Sequence, residues 1–199
     1  MTTAKLTKAH NLTSLQTFLL SEETRHPHAT GAFTMVLSAL SLASKFIAAR
    51  CRRAGLEDVL GSMDTENVQG ETQQKLDVIA NEALIRALGS RPGVAVLASE
   101  EDEEPIVLSR DTTGERPYVV LFDPLDGSSN LDVCGGVGTI FSILQHDRRS
   151  AKIEDSALQS GTRQVGAGYV LYGPSTVLVL TTGRGVQMFV LDPAIGSFL

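Results

Sequence analysis

Residues 118–130 read Tyr118-Val119-Val120-Leu121-Phe122-Asp123-Pro124-Leu125-Asp126-Gly127-Ser128-Ser129-Asn130. The first five are apolar, β-branched or aromatic, the pattern of a strand buried in a sheet. Asp-Pro and Asp-Gly follow at once, so the strand ends in a turn that carries two acids. Upstream, residues 94–98 (VAVLA) run through Ser99 into Glu100-Glu101-Asp102-Glu103-Glu104. If these two strands are neighbours, Glu100 and Asp123 project into one space. Three or more converging carboxylates repel unless cations neutralise them. An oxygen-only donor set suits Mg2+ or Mn2+ rather than Zn2+. The four His and two Cys show no zinc-ligand spacing.

After Asp126 the residues are small. Gly127 lets the backbone turn sharply, and Ser128 and Ser129 offer hydroxyl and backbone donors that can nest a phosphate. Carboxylates beside a phosphate cradle describe metal-assisted phosphoryl chemistry. Taken alone, the acidic run 100–104 reads as a solvated face, and Glu103 and Glu104 keep that reading. Taken together, two acid-bearing turns that each follow an apolar strand point to function.

Outward from this centre the period changes. Phe33, Val36, Leu37, Leu40, Ala43 and Ile47 follow helical spacing, with Arg50, Arg52 and Arg53 in the last turns. A second helix is predicted from about Glu71 to Leu88, striped by Leu76, Ile79, Ala80, Ala83, Leu84 and Leu88 and stopped at Gly89. Further strands are predicted at 139–144, 165–171, 177–182 and 186–191, the last three as a meander. Residues 145–163 are polar and read as an exposed loop. Helices first and strands after give an α+β fold, a layered sandwich of N-terminal helices packed on a mainly antiparallel mixed sheet.

The whole chain bounds the function. It has 199 residues, 17 basic and 23 acidic side chains, a net charge of −6 and 42% hydrophobic residues. That excludes a disordered or collagen-like chain and argues against nonspecific nucleic-acid binding. Two cysteines exclude a multi-bridge secreted scaffold. The N-terminal MTTAKLTKAH is too polar for a signal-peptide core. The apolar stretches are broken by Ser, Lys, Gly or Asp, so no membrane span is expected. The expected location is the cytoplasm.

At this point the sequence resembles class I fructose-1,6-bisphosphatase, within the inositol-monophosphatase-like sugar phosphatases. The matching stretches are residues 122–130 (FDPLDGSSN) with 137–141 (VGTIF), 99–102 (SEED), 75–78 (KLDV), 168–173 (GYVLYG) and 191–196 (LDPAIG). The resemblance runs from about Leu12 to Leu199. It implies that Glu100, Asp123 and Asp126 ligate metal with the Leu125 carbonyl, and that Glu71 stands where the family has an acidic metal-site residue. Asp77 and Glu101 match the carboxylates that activate the attacking water or shuttle its proton. Asp126, Gly127, Ser128 and Ser129 match the segment that holds the sugar 1-phosphate. The implied reaction is hydrolysis of fructose 1,6-bisphosphate to fructose 6-phosphate and phosphate, in gluconeogenesis or Calvin-type metabolism, by a homotetramer.

The departures shape further expectations. Residues 1–199 correspond to the family's N-terminal domain. The second domain, which carries another metal ligand and most of the sugar grip, is absent from this chain. Thr30, Gly31 and Thr34 fit the turn where AMP-inhibited members bind the nucleotide phosphate, although Thr30 also reads as a plain helix cap. Tyr118 is retained there. Pro117 and Gln145 replace a family Lys and Arg, so AMP inhibition is expected to be weak or absent. Residues 145–163 lack the cysteines of redox-controlled plastid forms. The lone Cys134 and Cys51 carry no assigned role. The rival readings are a sedoheptulose-bisphosphatase or related sugar phosphatase, and a non-catalytic metal-binding fragment.

Overall fold

The computed structural model describes residues 13–25, 29–57, 60–66, 72–108, 118–147, 152 and 154–199. Helix α1 (Leu15–Thr24) opens at Ser14, whose Oγ accepts the Thr17 N–H at 3.1 Å. Helix α2 (Ala32–Arg53) opens at Gly31, which adopts φ 76° and caps without a side chain. The Thr30 cap is therefore not formed. α2 is also 22 residues long and apolar enough to match a membrane span by length and composition, contrary to the sequence expectation. Its burial assigns it otherwise: Val36, Leu37, Ala39, Leu40, Ala43, Ile47 and Ala48 all lie in the core.

The short strands β1 (Ser62–Glu66) and β2 (Thr72–Gln74) pair antiparallel as a separate ribbon. Helix α3 (Lys75–Gly89) follows β2 directly. The expected helical start at Glu71 is thus too early by four residues, and Glu71 itself lies outside the described residues. The reason is local. Asp77 Oδ2 accepts the Gln74 N–H at 2.7 Å, which caps the helix and leaves residues 72–74 to the ribbon.

The remaining strands form one sheet: β3 (Val94–Ser99), β4 (Ile106–Val107), β5 (Tyr118–Asp126), β6 (Val137–Gln145), β7 (Gln164–Tyr172), β8 (Thr176–Thr181), β9 (Val186–Asp192) and β10 (Ser197–Phe198). The order is β10-β9-β8-β7-β6-β5-β3-β4. β3 and β5 pair parallel, and every other neighbouring pair is antiparallel. This is the mixed, mainly antiparallel sheet predicted. The two-residue edge strands β4 and β10 are too short to leave a period in the sequence.

The two faces of the sheet differ. One carries Val120, Phe122, Phe141, Ile143, Val170, Tyr172, Leu178, Leu180, Phe189 and Leu191, which join the buried faces of the helices in a single core. On the other, Ala95, Val96, Val119 and Leu144 are covered by Ala157, so β3 and β5 are buried on both sides. Ala157 and Ser156 lie buried in a 3-10 turn (Glu154–Leu158), so residues 145–163 are not an entirely exposed loop. Further along that face Ile140, Tyr169, Leu171, Val186, Met188 and Val190 remain exposed.

This sidedness gives a direct test. Leu180→Ala removes a core side chain and is expected to cost about 2–5 kcal/mol in urea unfolding. Met188→Ala, on the open face of the next strand, is expected to change stability by less than about 0.5 kcal/mol.

Candidate active site

β3 and β5 are in register from Leu97 opposite Val120 to Ser99 opposite Phe122, and the Glu100 N–H donates to the Phe122 carbonyl at 3.0 Å. Two parallel strands therefore end at one level, and their next residues, Glu100 and Asp123, stand side by side. Burial and the Glu100 charge push Asp123 up to about 7, with Asp126 adding to the effect. The Leu125 N–H, 3.0 Å from Asp123 Oδ1, opposes the shift. The Leu125 side chain is buried in the core, whereas Asp126 is exposed at the strand end.

Asp77 joins them from α3. It is 3% exposed, so it is not a helix-surface carboxylate. Its Oδ2 accepts from the Gln74 N–H and, at 3.0 Å, from the Ser128 hydroxyl. Its Oδ1 is buried and meets no hydrogen-bond donor. Burial raises Asp77 to about 6 against these two donors, with the charges of Glu101 and Glu100 contributing. Glu101 is held from two sides. Its Oε2 accepts from Gln73 Nε2 at 2.6 Å, and its N–H donates to Ser99 Oγ at 3.2 Å.

Sequence reasoning missed the supports of this cluster. Ser99 Oγ donates to Asn81 Oδ1 at 2.8 Å, and Asn81 Nδ2 donates to Asp102 Oδ1 at 3.2 Å. Asn81 lies four residues after Asp77, on the same face of α3, and that spacing was the available signal. Gln73 and Gln74 stood in a stretch read as helix. Among the described residues, no three His, Cys, Asp or Glu side chains gather into a ready metal nest. The donors present are nonetheless all oxygen, two of them crowded carboxylates, and Asp77 Oδ1 is an unmet acceptor beside them. That set fits a hard divalent cation and not zinc.

The small-residue turn lies next to the cluster. Gly127 adopts φ 74°, and a Cβ there would sit 3.1 Å from Asn130 Nδ2. Ser128 is half-buried and Ser129 exposed, at the start of a 3-10 turn (Ser128–Val133). Asp126 and Gly127 open onto a cleft of about 440 Å³ with Asn130, Gly138, Tyr169 and Leu171.

Thr30, Gly31, Thr34 and Tyr118 do come together, lining a separate cavity of about 450 Å³ with Glu22, Glu23 and Gln164. Thr34 Oγ1 donates to Glu23 Oε2 at 3.0 Å, so a carboxylate already occupies the start of α2. Gln145 ends β6 opposite Tyr118, and Pro117 lies outside the described residues. Cys51 is a half-buried thiol, pushed up to about 11 by desolvation. Cys134 is exposed and in left-handed backbone at φ 56°.

Helices packed on a mixed sheet, with carboxylates clustered at the ends of the parallel pair β3 and β5, make the α+β sandwich of a sugar-phosphatase fold. The family description "Fructose-1-6-bisphosphatase, N-terminal domain" matches residues 13–199. The chain belongs to the fructose-1,6-bisphosphatase family. It is 50% identical over 190 residues to a class 1 fructose-1,6-bisphosphatase of Salinibacter ruber, covering 94% of this chain and 53% of that protein. The Leishmania major fructose-1,6-bisphosphatase in its holo form superimposes with a TM-score of 0.84 at 38% identity, over 94% of this chain and 57% of that one. Its apo form gives 0.76 at 36% identity, over 94% and 55%. The chain thus spans about half the length of the relatives it matches.

The crowded acids make metal-free stability depend on pH. Asp77 and Asp123 sit near 6 and 7 when folded against 3.8 when free. The folded protein keeps protons that the unfolded chain has released, so this stabilisation is full below about pH 4 and is lost as pH rises toward 7. In EDTA, the unfolding midpoint is expected to fall between pH 5 and pH 8. Asp123→Asn, which removes one of the repelling charges, is expected to flatten that fall.

Proposed function

We propose that this chain is the metal-binding half of a phosphatase that hydrolyses the 1-phosphate of fructose 1,6-bisphosphate, giving fructose 6-phosphate and phosphate. The observation that carries the reading is the enforced adjacency of Glu100 and Asp123, with the Asp77–Ser128 hydrogen bond beside them. In this reading Glu100, Asp123, Asp126, the Leu125 carbonyl and Glu71 hold Mg2+ or Mn2+. The cation, when bound, polarises the phosphoryl group and acidifies water. Asp126, Gly127, Ser128 and Ser129 cradle the 1-phosphate at the cleft.

The chain's own residues supply the proton handling. Asp77, shifted to about 6, is close to neutral pH, and its unmet Oδ1 is the oxygen placed to accept a proton from attacking water. Its Oδ2 bonds hold the carboxylate in one orientation meanwhile. Glu101, tethered by Gln73, is the second station for that proton. A second domain, of the kind that makes the relatives twice as long, covers the open face at Ile140, Tyr169, Leu171, Val186, Met188 and Val190 and completes the sugar grip. The exposed apolar side chains there support that arrangement. The family resemblance supports homotetrameric assembly and a cytoplasmic location.

The test is phosphate release from fructose 1,6-bisphosphate by the 199-residue chain in Mg2+, with Asp123→Asn as the blank. Release that the substitution abolishes supports the reading with the chain sufficient for chemistry. No release, but Mn2+ binding lost on the same substitution, supports the half-site reading. Mn2+ binding and phosphate release both unaffected by Asp123→Asn would sink it, as would preference of the chain joined to a second domain for the seven-carbon bisphosphate. For the cavity at Thr30 and Tyr118, calorimetry is expected to show no binding of submillimolar AMP. Glu23, held at the start of α2 by Thr34, repels its phosphate, and Glu23→Gln is expected to improve binding.

A further inference from the structure

β5 is bulged at the site. Asp123 pairs with Ile140 and Asp126 with Gly138, so three steps along β5 oppose two along β6. The extra residue interrupts the ladder, and Pro124 has no N–H to offer. Its carbonyl is met by a side chain instead: Thr139 Oγ1 donates to it at 2.8 Å. Thr139 is fully buried and lies on β6 between the two paired positions. Its single hydroxyl hydrogen is committed to Pro124, so the Tyr172 hydroxyl, 2.7 Å away, donates to Thr139. Burial raises Tyr172 far above the usual phenol range, so it stays a donor at working pH. Ser44 of α2 contacts the same hydroxyl and donates its own proton to the Leu40 carbonyl at 2.7 Å. Two hydrogen bonds thus run in series from Tyr172 through Thr139 to the bulge.

The Pro124 carbonyl and the Leu125 N–H belong to one rigid peptide plane. Thr139 holds one edge of that plane, and the other edge donates to Asp123 Oδ1. Turning the plane would move the Asp123 carboxylate and the Leu125 backbone together. We propose that Thr139, oriented by Tyr172, is a positioning residue that sets the direction in which residues 123–126 present their oxygens. The inference rests on the reading of that segment as a divalent-cation site. Both hydroxyls act through the Pro124–Leu125 peptide.

The experiment compares Thr139→Val, Thr139→Ser and Tyr172→Phe in the 199-residue chain. Amide hydrogen exchange is read at Leu125 and, as a reference, at Leu178 on β8, and Mn2+ affinity is read by titration of folded protein. Thr139→Val is expected to speed exchange at Leu125 about tenfold relative to Leu178 and to weaken Mn2+ binding about 10–100-fold. Thr139→Ser, which keeps the hydroxyl, is expected to restore both to within about twofold. Tyr172→Phe keeps the ring in the core, is expected to fall between them, and decides the matter if Thr139→Val does not fold. Equal exchange changes at Leu125 and Leu178, or unchanged Mn2+ affinity in a variant whose wild type binds the ion, overturns the proposal and leaves Thr139 as ordinary satisfaction of a buried carbonyl. If the wild type binds no Mn2+ while Leu125 still responds selectively, the cation reading fails and the positioning of the peptide stands.

Discussion

The parallel pairing of β3 with β5 is the constraint on which the site depends. Neighbouring parallel strands finish at the same edge of the sheet, so whatever follows each strand must meet there. Here the followers are Glu100 and Asp123. In an antiparallel pair the same two acids would stand at opposite ends. Their repulsion is held in place by strands buried on both faces: Val94, Ala95, Val96, Leu97, Val119 and Val120 are all fully buried. Apolar burial of that extent outweighs the cost of two crowded carboxylates, and the cost remains visible as the raised affinity of Asp123 for its proton.

Helix α3 ties this edge to the rest of the molecule through polar side chains on one face. Asp77 serves two structural partners at once, capping its own helix through Gln74 and receiving the Ser128 hydroxyl. One turn later, Asn81 divides its amide between Ser99 and Asp102, with its oxygen to the first and its nitrogen to the second. The strand end, the acidic turn and the small-residue turn are therefore all referenced to a single rigid element.

The sheet divides the molecule into a finished side and an open side. Helices α2 and α3 close one face, and among the described residues a 3-10 turn covers the other over β3, β5 and Leu144 of β6. The carboxylates emerge beside the boundary of the open part, where Glu100 and Asp123 share a cavity of about 720 Å³ with Ile140, Tyr169 and Val186. An apolar face therefore runs continuous with the charged edge, through the exposed Ile140, Tyr169 and Val186.

The sequence by itself determined the long strands, the two main helices and the acidic residues that follow two of the strands. Residues 118–122 and 94–98 announced buried strands, the stripe on α3 announced its helix, and the acids after each strand announced carboxylate-bearing strand ends. Those signals are local, because the side-chain period and turn residues of a segment are written in that segment. The tertiary structure decided what depends on partners distant in the chain. It alone made β3 and β5 parallel neighbours, buried Asp77 against Ser128, and set Thr139 opposite Pro124. It also folded the polar stretch 154–158 back over β3 and β5, and gave residues 72–74 to a strand rather than to α3. None of these has a spacing to read, since hydrogen bonds between residues 51 or 15 positions apart leave no period in the sequence.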